Sequence, residues 1–239
     1  MTGRQGREEA FWASRAGGVV FEGFCRKFFK WYCPLAVEGR HLLPDGPFLL
    51  CSNHTSHADS AALMTATGRS FRSFALIGAS DYFFRSRRVR WLVSPLMNVI
   101  PIAREPGPKA LSACLATCRR FIQQTGGSLI LYPEGTRSPN GEMRTFKPGA
   151  ALFTIDLGLP VVPAYVEGTH RILPKGCSVP RVGPVTVRFG ESLAFARPKP
   201  GELPREQRRH IVEQLTRSIR MLASGSVDQE LVASVAEKR

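Results

Sequence analysis

The chain has 239 residues, 43% of them hydrophobic, which is enough to bury a sizeable core in one domain. Its 33 Lys and Arg residues outnumber 19 Asp and Glu residues, and the net charge of +14 favours an anionic partner: nucleic acid, lipid headgroups or a phosphorylated substrate. We expect neither a spanning helix, which needs ~20 apolar residues, nor a signal peptide, and six cysteines without a CxxC pair favour a reducing, cytoplasmic location.

The first half of the chain predicts helices and strands in alternation. Residues 8–33 predict a helix because aromatic residues recur at helical steps with basic residues among them, namely Phe21, Phe24, Phe28 and Tyr32 with Arg26, Lys27 and Lys30. The segments that follow are the strand FLLCSN, a helix over 59–67, the strand SFALIGAS, an aromatic and basic segment that includes YFFRSRRVRWL, the strand NVIPIAR, and the helix KALSACLATCRRFIQQTGG, which glycine ends.

The second half continues this alternation. Its segments are the buried strand SLILYP, the loop EGTRSPNGE, the helix GAALFTIDLG, the strands LPVVPAYVEG and PVTVRFG, and a closing helix over 205–223. The pattern predicts an α/β fold with a central mixed sheet flanked by helices, and such folds place ligand-binding loops at strand ends. We expect an N-terminal amphipathic helix over 1–36, one domain over 37–223 and a tail over 224–239.

The stretch NHTSHADS lies between a predicted strand and a predicted helix. His54 and Asp59 would point roughly 140° apart within one regular helix, so they meet only if His54 lies on the turn and Asp59 begins the helix. Asp59 could then orient one ring nitrogen of His54 and leave the other as a base. The alternatives are a helix-capping segment with a surface histidine, or a metal site that includes His57. We expect no metal, because no later histidine-rich segment supplies further ligands.

Further charged residues follow the ends of other predicted strands. YPEGTRS places Glu134, Gly135 and Arg137 directly after a buried strand. Glycine allows close backbone approach, and an arginine fork can grip a phosphate. NVIPIAR delivers Arg104 at another strand end, and FKPGA adds Lys147. Each segment alone is a weak signal, but together they predict a site for an anionic substrate.

In this order, the segments resemble the motifs of the 1-acylglycerol-3-phosphate acyltransferase family of glycerolipid acyltransferases. NHTSHAD is similar to the N-H-x4-D motif of that family, and VIPIAR, YPEGTRS and LPVVP are similar to its second, third and fourth motifs. The similarity spans about residues 37–166. It implies a glycerol-3-phosphate acyltransferase-like domain over 37–223 and a membrane-associated enzyme of phospholipid biosynthesis.

The resemblance also implies a mechanism and a set of site residues. His54, oriented by Asp59, would remove a proton from the hydroxyl of a lysophospholipid, and that oxygen would attack the thioester of acyl-CoA or acyl-carrier protein. No cofactor is implied beyond this acyl donor. The phosphate of 1-acylglycerol-3-phosphate would be held by basic side chains in a pocket shaped by the third motif, which gives the substrate-binding residues Arg104, Glu134, Gly135, Thr136, Arg137 and Lys147.

Three departures from the family pattern leave the acceptor open. His57 stands where the family often has an aromatic residue, Asn98 replaces a glycine, and Pro101 interrupts an apolar run. An enzyme for lyso-ornithine lipid or another lysolipid would retain His54 and Asp59. Two other classes remain as alternatives: a nucleic-acid-binding module, which lacks a recognisable motif here, and a non-catalytic membrane-binding protein on the same fold.

The first helix and the segment YFFRSRRVRWL share aromatic and basic residues. We expect them to bind an anionic membrane peripherally, at its cytoplasmic face, with apolar side chains in the headgroup boundary. The alternative is that the aromatic residues pack on the sheet and the charges are solvated.

Overall fold

A computed structural model of the chain describes most of the predicted domain. The described residues are 15–79, 96–103, 106–177, 179–196 and 204–225. The predicted aromatic and basic segment at residues 82–92 and the predicted phosphate ligand Arg104 lie outside them.

A seven-stranded sheet forms the centre of the described structure, in the order β1-β7-β6-β2-β5-β3-β4. The strands are β1 (Leu35–Glu38), β2 (Leu49–Ser52), β3 (Phe74–Ala79), β4 (Asn98–Ile102), β5 (Ser128–Leu131), β6 (Val161–Glu167) and β7 (Val185–Phe189). Strands β2 to β6 are parallel to one another, whereas β7 is antiparallel to β6 and parallel to β1. The predicted α/β class with a mixed sheet is confirmed.

Helices cover both faces of this sheet. Successive residues of each strand point to opposite faces, and because both sets are apolar in the central strands, both faces are buried against helices. The helices are α1 (Arg15–Lys27), α2 (Asp59–Thr67), α3 (Pro108–Thr125), α4 (Gly149–Leu157), the short α5 (Thr169–Ile172) and α6 (Arg205–Ala223). Leu50 and Leu76 pack with α1 and α2 in one hydrophobic cluster. Leu49 and Ile77 pack with α3, α4 and α6 in the other. Burial on both faces explains why the central strands read as continuous apolar runs.

The first helix packs on the domain along one side only. Cys25 and Phe29 are buried, and Glu22 accepts hydrogen bonds from the Ser70 hydroxyl and from the backbone N–H of Phe71. The α-helix changes to a π-helical turn over Phe28–Tyr32 before β1 begins. The predicted shared face of aromatic residues is therefore divided: Phe24 is exposed, whereas Phe21 and Phe28 contact the core. Among the described residues, no helix has the length and hydrophobicity that crossing a bilayer requires.

The second motif begins away from the predicted site. Asn98 lies at the start of β4, where its side-chain amide donates to the backbone carbonyls of Arg72 and Phe74, 3.1 and 2.8 Å away. These contacts connect the start of β4 to the start of β3. They lie at the amino ends of the parallel strands, whereas His54 follows the carboxyl end of β2. Pro101 is tolerated because β4 is the last strand of the described sheet. The side chain of Asn98 thus connects β4 to β3 and to the turn before it.

Candidate active site

The first and third motifs meet at the carboxyl edge of the sheet. Strand β2 pairs with both β5 and β6, with Cys51 opposite Leu131 and Ser52 opposite Ala164. Because these three strands are parallel, the segments that leave β2 and β5 emerge side by side. NHTSHAD follows β2 and YPEGTRS follows β5, so the two predicted halves of the site lie in contact.

His54 and Asp59 form the predicted pair. His54 lies on the turn after β2, Asp59 is the first residue of α2, and Nδ1 of His54 is 2.9 Å from Oδ2 of Asp59. The same oxygen accepts the backbone N–H groups of Thr55 and Ser56, at 2.7 and 2.8 Å. The Asp59 side chain is fully buried, whereas 18% of the His54 side chain is exposed. We assign the Nδ1 proton to this hydrogen bond, which leaves Nε2 as the basic nitrogen.

The ring of Tyr132 stacks against the ring of His54. The two ring centroids are 3.8 Å apart and the planes differ by 12°. The hydroxyl of Tyr132 is 2.7 Å from the hydroxyl of Ser60, and burial raises the pKa of Tyr132 well above its usual range. Tyr132 is therefore a neutral platform that restricts rotation of the imidazole. Its position directly before PEGTR was visible in the sequence, but the stacking partner was not.

Glu134 joins the two motifs through the backbone. Oε1 accepts the N–H of His54 at 2.8 Å, and Oε2 accepts the N–H of Arg144 at 3.2 Å. Only 2% of the residue is exposed, and burial raises its pKa to about 7. We predicted Glu134 among the substrate-binding residues. Because the Glu134 side chain binds the backbone of His54 and of Arg144, it holds the turn after β2 against the loop after β5. Its observed role is to position the site.

Basic side chains of the third-motif loop line the rim around His54. Gly135 has φ +68°, and a Cβ there would lie 3.1 Å from two side-chain carbons of Lys147, so Lys147 crosses directly over this glycine. The N–H of Ser138 donates to the carbonyl of His54 at 2.8 Å, which places the neighbouring Arg137 at the same rim. Partial desolvation and then the charge of Arg137 lower the pKa of His57, so Arg137 lies near it. The loop therefore gathers positive charge beside the pair.

Thr136 and Arg137 are both half-buried in this loop, whereas Lys147 and His57 are exposed. The structure thus brings five predicted substrate-binding residues (Glu134, Gly135, Thr136, Arg137 and Lys147) to the same edge as His54. Their contact with a substrate stays a prediction. Arg104 lies outside the described residues.

Side chains of the first motif hold the turn of His54 against β6 and the segment that follows it. The amide of Asn53 donates to the carbonyl of Val166 and accepts its N–H, at 2.9 and 2.8 Å, so it extends the hydrogen bonding between β2 and β6. The hydroxyl of Thr55 is 3.1 Å from that of Thr169. The hydroxyl of Ser56 donates to the carbonyl of Leu173 at 2.7 Å. These partners are more than a hundred residues away in sequence, so local patterns could not reveal them.

The fourth motif contributes to the core. Val161 and Val162 are fully buried in opposite hydrophobic clusters, and Pro163 is also buried. In the part of the chain that the structure describes, no group of three or more His, Cys, Asp or Glu side chains is arranged to hold a metal ion. The geometry at His54 is that of a base positioned by a buried carboxylate, with cationic groups nearby.

Comparison with known proteins agrees with these observations. A family model described as Acyltransferase matches residues 34–167. A chloroplastic 1-acyl-sn-glycerol-3-phosphate acyltransferase from Brassica napus is 34% identical over 172 residues, which cover 66% of this chain and 48% of the relative. A chloroplastic enzyme of the same description from Arabidopsis thaliana is also 34% identical, over 66% of this chain and 46% of its own length. The chain thus spans about half the length of these curated relatives.

A solved structure is similar over most of the chain. The 1-acyl-sn-glycerophosphate (LPA) acyltransferase PlsC from Thermotoga maritima superposes with a TM-score of 0.62 and 25% sequence identity, covering 87% of this chain and 79% of that protein. The family predicted from the four motifs is confirmed. The chain belongs to the acyltransferase family.

Proposed function

We propose that this protein transfers a fatty acyl group from a thioester to the free hydroxyl of a lysophospholipid, with 1-acylglycerol-3-phosphate as acceptor and phosphatidate as product. The observation that carries the proposal is the pair of His54 and Asp59, in which Nδ1 of His54 lies 2.9 Å from Oδ2 of Asp59 at the carboxyl end of β2. The relatives named 1-acyl-sn-glycerol-3-phosphate acyltransferases support the same assignment.

In the proposed reaction, Nε2 of His54 takes the proton from the acceptor hydroxyl as the oxygen attacks the thioester carbon. The tetrahedral intermediate then expels the thiolate, which receives that proton from His54. Asp59 stabilises the charged imidazole between these steps. General-base help of this kind contributes about 10²–10⁴-fold, and the remainder comes from positioning and from stabilisation of the developing oxyanion.

Selectivity for a phosphorylated acceptor rests on the basic side chains near His54. Arg137 is the principal proposed phosphate ligand, because a guanidinium fork matches two phosphate oxygens. Lys147 adds a second positive charge above Gly135, and Arg104 is proposed from its motif alone. The donor is acyl-CoA or acyl-carrier protein, and the reaction requires no further cofactor.

The acceptor is a membrane lipid, and we propose peripheral attachment through α1 and the π-helical turn that follows it, at the cytoplasmic face of an anionic membrane. Phe24 is 63% exposed and Trp31 is 76% exposed, with Lys27 and Lys30 exposed beside them. Apolar side chains enter the headgroup boundary by about 5–10 Å, and each basic residue near an anionic surface adds about 1 kcal/mol.

The test measures thiol release by the purified protein from acyl-CoA, with lysophosphatidate as acceptor. We expect acceptor-dependent release with formation of phosphatidate, and none from His54→Ala. The same assay with lyso-ornithine lipid separates the proposed acceptor from the alternative. Absence of acceptor-dependent release with any lysolipid and either donor would refute the proposed activity.

A further inference from the structure

Two valines of one loop are strongly exposed. Val179 and Val182, in the connection between α5 and β7, are 78% and 70% exposed. An isolated exposed valine needs no explanation, but two within four residues expose a local apolar surface.

This loop is joined to the end of the first helix. The hydroxyl of Tyr32 donates to the carbonyl of Pro180 at 3.1 Å, and the thiol of Cys33 donates to the carbonyl of Arg181 at 3.4 Å. Trp31 and Tyr32 are themselves exposed. These two hydrogen-bonded segments thus expose four apolar or aromatic side chains, together called the apolar rim: Trp31, Tyr32, Val179 and Val182.

The apolar rim lies on the same edge of the sheet as His54. Leu35 pairs with Val185 at the starts of β1 and β7, and the next residue of β7 pairs with Glu167 at the end of β6. The loop also connects to the site: the N–H of Arg181 donates to the carbonyl of Ile172 at 2.7 Å, one residue from the Leu173 carbonyl that the Ser56 hydroxyl contacts.

The two segments that form the apolar rim carry charge of one sign. Neither residues 27–34 nor residues 168–185 include an Asp or a Glu. Exposed basic residues flank the patch in both segments, namely Lys27, Lys30, Arg171, Lys175 and Arg181. Aromatic and aliphatic side chains surrounded by cations match the layered chemistry of an anionic membrane, in which acyl chains lie beneath charged headgroups.

We propose that the apolar rim is a lipid-docking surface of the acyltransferase domain, in which Val179 and Val182 enter the headgroup layer beside Trp31 and Tyr32. The surface holds the mouth of the His54 site against the membrane, so that a lysolipid reaches the site without leaving the interface. This inference rests on the proposed function, because that function makes the acceptor a membrane lipid. It adds a second contact to α1, from a segment remote in sequence.

The test is co-sedimentation with vesicles of equal parts phosphatidylglycerol and phosphatidylcholine, at low and high salt. Val179→Asp combined with Val182→Asp should lower vesicle binding by about tenfold or more, since two apolar contacts are lost and two anions are added. Met221→Asp is the control for each single variant, Val179→Asp and Val182→Asp: Met221 is an exposed apolar residue on α6, on the other face of the sheet, and its variant should bind like the wild type.

A second readout separates this inference from the proposed function. The double variant should lose transfer to long-chain lysophosphatidate in vesicles, yet keep transfer to a short-chain acceptor in free solution. If no transfer occurs with either acceptor in the wild type, the proposed function fails, while the vesicle result still decides the docking surface. Should the aspartate variant misfold by circular dichroism, the serine double variant replaces it.

Unchanged vesicle binding by the folded double variant would overturn the inference. A change of oligomeric state in light scattering, with unchanged vesicle binding, would show instead that the apolar rim contacts a second copy of the chain. Binding that is equal on purely zwitterionic vesicles and insensitive to salt would overturn the role of the flanking cations.

Discussion

Replacing Glu134 by glutamine tests the connection between the two motifs. Both oxygens of the Glu134 carboxyl group accept backbone N–H groups, from His54 and from Arg144, and each oxygen keeps a lone pair when the group is protonated. Glutamine supplies one acceptor of the same shape, but its NH2 group must face the second backbone N–H. Because the side chain is buried, water cannot take the place of the lost acceptor, and one unsatisfied donor of this kind costs about 1–3 kcal/mol.

The cost should depend on pH. Burial raises the pKa of Glu134 from 4.5 to about 7. Between these values the folded protein binds a proton that the unfolded chain releases, so the contribution of Glu134 to the free energy of unfolding is present below pH 4.5 and falls as pH rises to about 7. The full difference corresponds to about 3 kcal/mol. Glutamine does not titrate, so the disadvantage of Glu134→Gln should shrink by up to this amount as pH rises through the same window.

Urea denaturation at about pH 5 and about pH 8 measures this difference, with turnover measured in parallel. We expect a clear loss of stability at the lower pH, a smaller loss at the higher pH, and reduced turnover because the turn of His54 is loosened. Glu142→Gln in the same loop is the control, since Glu142 is exposed and contacts only Asn140 among the hydrogen bonds described. Parallel stability curves for wild type and Glu134→Gln would refute the buried, proton-binding role.

Three further predictions concern the proposed catalysis and acceptor, and a fourth concerns the membrane contact. His54→Ala should lower turnover by about 100-fold or more without unfolding the protein, and near-normal turnover would refute the general base. Asp59→Asn should be severe but less complete in the same assay, because Oδ1 has no hydrogen-bond partner among the described residues, so an amide can keep its oxygen toward His54 while losing the charge. Arg137→Lys should raise KM for lysophosphatidate much more than for a phosphate-free lysolipid; equal effects would assign Arg137 to structure. Phe24→Glu should weaken sedimentation with anionic vesicles at unchanged thermal stability, since Phe24 is exposed; equal sedimentation would show that α1 is not an anchor.

Features that depend on residues close together along the chain could be predicted from the sequence. His54 and Asp59 are five residues apart, and a strand followed by a helix start allows few arrangements in which they could meet. The apolar runs of β2 and β5 are similarly plain, because both faces of these strands are buried. Chemistry carried by a short segment can therefore be inferred from the residues of that segment alone.

Contacts that depend on strand register could not be predicted. Asn53 bonds to Val166, 113 residues away, only because β2 and β6 are neighbours in one particular alignment. Strand β1 was missed for the same reason: its four residues alternate between half-buried and exposed, and its partner Val185 lies far along the chain. A pattern of four residues is too short to distinguish from a loop.

The direction of β1 and β7 explains why the proposed chemistry and the apolar rim share an edge. Strands β2, β5 and β6 end at that edge, so the turns that follow them carry the site. Strands β1 and β7 run the opposite way, so the segments that precede them begin at the same edge. Those preceding segments are the end of the first helix and the loop with Val179 and Val182. A protein that acts on a membrane lipid needs its reactive groups beside its membrane contacts, and the reversal of β1 and β7 brings the proposed contacts to the end of the sheet that carries His54.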